Sequence, residues 1–287
     1  MNVLVTGVAS PLGEAVCRQL RLRGAEITGT IRPGGRLPSE GLVDDLLSLD
    51  IAVPSDFMKL QGRFDAAIHV AALSEGTPGD LMMATGLSAF HLLQRARELQ
   101  ISTIVHVSSM AVYGLVRVPV VDTQTPINHS TAYGAAKWAA ECFLSAGPPH
   151  TRCISVRAPA IVGYRSHRNF LARVYSQMSR GAEEIRVSNP NHLFNNVIHE
   201  DILANFLVKL ADSAPDNFVA IPVSSSEPMN LSDLISQLAT QTNFKGKIVW
   251  SLNEEKPFSI NSNEALLLGL SNLSTQETLN LWFKNLN

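Results

Sequence analysis

Five short apolar runs, spaced by stretches of helical periodicity, constrain this chain more than any other feature. They are NVLVT (2–6), EITGTI (26–31), AAIHV (66–70), TIVHVSS (103–109) and CISVRA (153–158). Their near-continuous Val and Ile content, without alternation, suits strands covered on both faces, as in a parallel sheet between helices. Helical patterns fill the gaps at 11–23, 79–99 and 130–145. This rhythm implies a Rossmann-type α/β fold with a doubly wound parallel sheet. Beyond about residue 160 the rhythm loosens. Helical patterns at 168–180, 200–212, 231–242, 262–269 and 275–285, with a strand at 217–222, are separated by polar stretches such as SNPNHLFNN (188–196). The expectation is a Rossmann domain over 1–160 and a smaller C-terminal substrate-binding lobe, mainly 161–287, with some segments returning to the first domain.

Composition removes several classes of function. A chain of 287 residues, 45% hydrophobic and 17% charged, can bury a large core. A net charge of −2, with Lys and Arg scattered, offers no footprint for nucleic acid. Cys17, Cys142 and Cys153 show no CxxC or Cys/His spacing, so neither a disulfide framework nor a metal site is expected. They read as reduced core residues of a cytoplasmic protein. No basic segment precedes an apolar one at the N-terminus, and no apolar run reaches roughly 18 residues, so no secretion signal and no membrane partner is expected.

Three stretches carry chemistry. In VTGVASPLG (5–13), Gly7 turns the chain off the first strand and Gly13 lets the next helix pack close, its N-terminus aimed at a pyrophosphate. Ser10 stands where a middle glycine is usual, and such a loop alone is as often only a turn. In TAYGAAKWAAE (131–141), Tyr133 and Lys137 share a helix face. A lysine beside a tyrosine favours the phenolate and prepares it to exchange a proton with a hydroxyl or carbonyl, although the same spacing also describes a surface lysine above a half-buried tyrosine. In VHVSSMAVYG (105–114), two serines end a strand at the carboxyl edge of the sheet, where ligands bind in this class of fold; serine there is also an ordinary cap or turn former.

In this order and spacing, the three stretches resemble the extended short-chain dehydrogenase/reductase family, within its NAD(P)-dependent sugar epimerase/dehydratase branch. The resemblance also includes SLDI (48–51), FDAAIHVAAL (64–73) and VRAPAIVG (156–163), and weakens in 195–207 and 256–270. It implies a catalytic set of Ser109, Tyr133 as acid/base, and Lys137 lowering the tyrosine pKa while holding the nicotinamide ribose. It implies cofactor contacts from Gly7, Ser10, Pro11, Leu12 and Gly13, from Asp50 and Ile51 on the adenine side, from Ala71 and Ala72, and from Pro159 as the nicotinamide wall.

The second strand ends at Ile31, where members preferring NAD carry an acid, and Arg32 follows, with Arg36 nearby. Guanidinium forks suit a 2′-phosphate, so NADP(H) is expected over NAD(H). SSMA lacks the Asp-Glu pair of sugar dehydratases. Two arginines with which nucleotide-sugar epimerases meet ribose and phosphate are missing, leaving Asn169, Arg165, Arg168 and Arg173 as replacements. His129 and His167 are placed to touch a substrate, whereas His69 and His106 lie in apolar strand patterns and read as core groups. The expected activity is epimerisation or oxidoreduction of a sugar or nucleotide-sugar carbinol or keto centre. The rival is an NADPH-dependent reductase of a small aldehyde, ketone or hydroxy acid. A non-catalytic NADP-sensing regulator is disfavoured because Ser109, Tyr133 and Lys137 are all present. Apolar positions Met82, Ala89, Leu92 and Ala96, with Ala135, Trp138 and Cys142, form a second stripe that, with the resemblance, implies a homodimer.

Overall fold

The computed structural model describes residues 1–166, 168–254 and 256–286, so His167 lies outside the described residues. The first part runs β1 (Asn2–Thr6), α1 (Pro11–Leu22), β2 (Glu26–Ile31), β3 (Asp45–Ser48), β4 (Ala66–His69), α2 (Pro78–Leu81), a π-helical turn (Met82–Leu87) and α3 (Ser88–Ala96). It continues through β5 (Thr103–Ser109), β6 (Val120–Val121), α4 (Ala132–Ser145), β7 (Arg152–Ala158) and β8 (Ala160–Val162). The second part supplies α5 (Phe170–Ser179), β9 (Glu184–Ser188), β10 (Leu193–Phe194), β11 (Val197–His199), α6 (Glu200–Ser213) and β12 (Val219–Pro222). It ends with β13 (Met229–Asn230), α7 (Leu231–Gln241), β14 (Lys247–Ser251), β15 (Ser259–Ile260), α8 (Asn263–Leu267) and α9 (Thr275–Lys284).

Seven strands form one parallel sheet in the order β3-β2-β1-β4-β5-β7-β12. Side chains alternate across it. Val3, Val5, Ile27, Ile68, Val105 and Ile154 pack with α1 and α6, whereas Leu4, Ala67, Ile104 and Cys153 pack with α3 and α4. Both faces are covered, which is why the strands read as continuous apolar runs. The order and the two helical layers make this a doubly wound Rossmann-type fold. Leu171, Leu234, Leu238, Leu279 and Trp282 form a separate core cluster in the second part, while α6 packs on the sheet and β12 extends it. Among the described residues, no helix is long and apolar enough to cross a membrane.

Two local readings differ from the structure. The helical pattern over 79–99 is interrupted by the π-helical turn, where Gly86 passes so close to α4 that a Cβ would lie 3.2 Å from the Ala136 carbonyl oxygen. Thr85 there accepts from the Leu73 N–H and donates to the Leu73 carbonyl, fastening the loop after β4. The second correction concerns the apolar stripe. Ala89, Leu92 and Ala96 lie in the chain's own core, because α3 must cover the sheet's second face. Of the positions read as a free face, Cys142 is exposed, so unlike Cys17 and Cys153 it is not the core residue expected; Met83 on the π-helical turn is also exposed, while Met82, Ala135 and Trp138 are half-buried.

Candidate active site

The site lies at the carboxyl ends of β1, β4, β5 and β7, where backbone and side-chain donors converge. Gly7 turns at φ +74°, and a Cβ added there would sit 2.9 Å from the Ala71 Cα. Ser10 caps α1, its Oγ accepting from the Gly13 N–H at 3.0 Å, and Pro11 opens the helix. Gly13 packs so tightly that a Cβ would fall 2.3 Å from the Gly7 carbonyl oxygen. The serine therefore replaces the middle glycine without obstructing the loop, because its side chain folds back onto the helix. The Gly13 N–H is taken by that cap, the Glu14 N–H by the Ser10 carbonyl, and Pro11 has none, so what the first turn offers an anion is the positive end of the helix dipole. This cradle fits the pyrophosphate of a dinucleotide.

The flanking residues line the same edge. Thr6 Oγ1 accepts from the Ala71 N–H at 3.1 Å, so Ala71 and the exposed Ala72 stand beside the glycine turn. Leu12 is buried under the loop. Asp50 Oδ1 accepts from the Ala52 N–H at 2.9 Å, and Ile51 packs on the α3-side core. Arg32 is exposed directly after β2, whereas Arg36 donates to the Ala9 carbonyl at 2.8 Å and pairs with the Glu14 carboxylate. Pro159 is half-buried between β7 and β8.

Ser109 closes β5, its Oγ accepting from the Ala111 N–H at 3.1 Å and lying close enough to the Tyr133 hydroxyl to oppose the rise of its pKa. Thr131 caps α4 through the Gly134 N–H, which sets Tyr133 in the first turn and Lys137 one turn on. Lys137 Nζ lies 5.9 Å from the Tyr133 ring centroid and donates to the Val107 carbonyl at 2.6 Å. Burial pushes the lysine down to about 8, with Glu141 opposing. The phenol of half-buried Tyr133 sits above its ordinary pKa because burial outweighs the Ser109 hydroxyl and the Arg168 charge. The trio can grip one oxygen between two hydroxyls and exchange a proton with it.

The remaining expected contacts are divided by the structure. Arg168 is exposed, donates to Ser74 Oγ at 2.8 Å, and acts electrostatically on the Tyr133 phenol. Arg165 pairs with Glu14 at 2.7 Å. Asn169 caps α5, its Oδ1 accepting from the Ala172 N–H at 2.9 Å and its Nδ2 donating to the Ile161 carbonyl at 2.7 Å. His129 is exposed on the approach to α4. His69 and His106 are fully buried. Sequence reasoning passed over Glu141 and Arg157, which form a buried ion pair behind the trio. The available signal was a carboxylate one turn past Lys137 in a largely apolar helix, and an arginine inside the apolar run of β7.

Comparison with known proteins gives a consistent frame. The model of the NAD dependent epimerase/dehydratase family matches residues 3–211. D-erythronate dehydrogenase from Cupriavidus necator is 34% identical over 161 residues, which are 50% of each protein. The match thus spans about half the length of that curated relative. Among solved structures, the UDP-Glc/GlcNAc 4-epimerase of Campylobacter jejuni is 16% identical, with a TM-score of 0.84 over 99% of both chains. The UDP-glucose 4-epimerase of Thermus thermophilus, in complex with NAD, is 18% identical, with a TM-score of 0.80 over 99% of this chain and 98% of that one. At these identities the two structures speak for the fold.

Proposed function

The chain belongs to the NAD dependent epimerase/dehydratase family, and on that premise we propose that it is an NAD(P)-dependent oxidoreductase of a small polyhydroxy acid. Ser109 and Tyr133 hold the reacting carbinol or carbonyl oxygen, and Tyr133 takes up or returns its proton. Lys137, anchored by the Val107 carbonyl with its ammonium 5.9 Å from the Tyr133 ring centroid, is placed to hold the nicotinamide ribose; in place of the lowering expected from the lysine, burial leaves the phenol above its ordinary value, opposed by the Arg168 charge. When bound, a nicotinamide dinucleotide supplies the hydride acceptor or donor. Ile31 and Arg32, with no carboxylate at the end of β2, support NADP(H) as that dinucleotide.

The observation that carries the substrate class is Arg168 beside Ser74 and Tyr133. A diphosphate brings at least two charges that must be met once water leaves. Of the candidates for that task, Arg165 is held by Glu14 and Asn169 by its helix cap, and Arg173 is exposed on α5, while Arg168 is the one whose charge acts on Tyr133. One carboxylate matches one guanidinium, and the hydroxy acid named for the Cupriavidus relative points the same way. The alternative, a sugar or nucleotide sugar, draws support from a lobe with a core of its own. The homodimer is retained as part of the proposal on the narrower ground of Met83 and Cys142; light scattering showing a monomer at micromolar concentration would remove it.

The test is turnover of D-erythronate and related hydroxy acids by the NADP- or NAD-loaded protein, beside binding of UDP-, GDP-, CDP- and dTDP-sugars. Oxidation of an acid, with KM raised roughly 10–100-fold in Arg168→Ala, is expected from the loss of a charge-assisted contact. Binding of a nucleotide sugar without turnover of any acid would overturn the substrate reading. Tyr133→Phe should cut turnover by about 10²–10⁴-fold.

A further inference from the structure

Behind the catalytic trio runs a buried chain of charged and polar groups that none of these steps uses. Glu141 lies one helical turn beyond Lys137 on α4, and its side chain is wholly buried. Its Oε1 accepts from Ser108 Oγ and from Arg157 Nε at 3.1 Å, and its Oε2 accepts from Arg157 Nη2 at 2.7 Å. Arg157 Nη1 donates to Tyr113 Oη at 2.8 Å, and that hydroxyl donates to the Asp122 carbonyl at 2.9 Å. None of these side-chain atoms is left without a partner.

The connections follow the reactive groups. Ser108 precedes Ser109 on β5, Glu141 follows Lys137 on α4, and Arg157 precedes Pro159 at the end of β7. A buried ion pair is a poor source of stability, since apolar residues of similar volume often serve as well or better. Packing alone therefore does not account for it. We propose that Glu141 is a positioning residue for the catalytic pair: held by Arg157 and Ser108, it locks α4 against the ends of β5 and β7 and supplies the negative charge that keeps Lys137 an ammonium.

The groups facing Lys137 support this. They are Tyr133 and Glu141 on its own helix, His69 on β4 and His106 on β5, with Arg157 of β7 behind Glu141. Burial keeps both imidazoles neutral, so the carboxylate is the group that opposes the desolvation of the lysine. The inference rests on the assignment of Ser109, Tyr133 and Lys137 as the reacting set.

The experiment follows the Lys137 Cε resonance of protein labelled with 13C-lysine, assigned by its loss in Lys137→Met. The unmodified protein should titrate near the 8 that burial dictates, and Glu141→Gln should lower the midpoint by roughly one unit. Because that variant strands Arg157 in the core, it is paired with Glu141→Gln/Arg157→Met, which removes both charges. The double variant should recover Tm while keeping the lowered midpoint, a result a merely structural pair would not produce. A midpoint equal to that of the unmodified protein in either folded variant overturns the proposal. Full turnover in Tyr133→Phe would instead sink the catalytic reading and leave the charge coupling standing.

Discussion

His69 and His106 stand opposite one another on adjacent parallel strands, their rings stacked with centroids 5.8 Å apart. His69 bonds Thr6 Oγ1 at 2.8 Å and Ser88 Oγ at 3.1 Å, and His106 bonds Ser155 Oγ at 3.1 Å. The pair fills the space beside Lys137 with neutral rings. Burial, with the lysine's charge second, pushes His69 down to about 3 and His106 well below its ordinary range.

Acid sensitivity follows from that pair. Both folded pKa values are lowered, so the stabilisation is complete above the ordinary 6.5 and is lost as pH falls towards the folded values. Two such groups should remove about 2.7 kcal/mol per pH unit in this window. Urea unfolding at pH 7 and pH 5 should show a marked loss that is shallower in His69→Asn/His106→Gln. Identical pH dependence in the two proteins would contradict the neutral pair.

Lys137 carries a stability cost of the same origin. Its folded value of about 8 lies below the ordinary 10.5, so a charge is held in the core at full cost below pH 8 and is relieved as pH rises to 10.5. Lys137→Met should therefore gain most over the unmodified protein near pH 7 and lose that advantage by pH 10, while its turnover collapses. Chemical denaturation at both pH values decides it; a difference independent of pH counts against the buried ammonium.

Gly13 tests the proposed phosphate cradle without touching Ser109, Tyr133 or Lys137. A Cβ there would meet the Gly7 carbonyl oxygen at 2.3 Å and the Val8 Cα at 2.9 Å, both backbone atoms that cannot step aside. Gly13→Ala should open the loop and weaken dinucleotide binding at least tenfold, read by quenching of tryptophan fluorescence. Unchanged affinity would move the dinucleotide elsewhere.

Arg32 tests the choice of dinucleotide. With Ile31 ending β2 and no carboxylate to meet a ribose hydroxyl, NADPH should bind more tightly than NADH. Arg32→Ala should erase most of the difference, roughly a 10–100-fold change for one charge-assisted contact. Equal affinities in the unmodified protein would remove the preference.

What was legible in the sequence was whatever short-range pattern carries. A strand covered on both faces must be apolar throughout, so the runs at 2–6, 26–31, 66–70, 103–109 and 153–158 announced the parallel sheet. Side chains four apart on a helix share a face, so spacing alone pairs Tyr133 with Lys137. Short strands such as Asp45–Ser48 and Lys247–Ser251 were not seen, because half-exposed edge segments lack the apolar run that marks a central strand. The tertiary structure alone decided how the remaining polar groups are used. Glu141 meets Ser108 from 33 residues away and Arg157 from 16, and Asn169 closes its own helix rather than facing the cleft. It also turned Ala89, Leu92 and Ala96 inward and set Arg165 against Glu14. Such partners leave no trace in local spacing, because an ion pair or a cap is specified by where two elements meet, and packing the sheet between its helices is what brings them together.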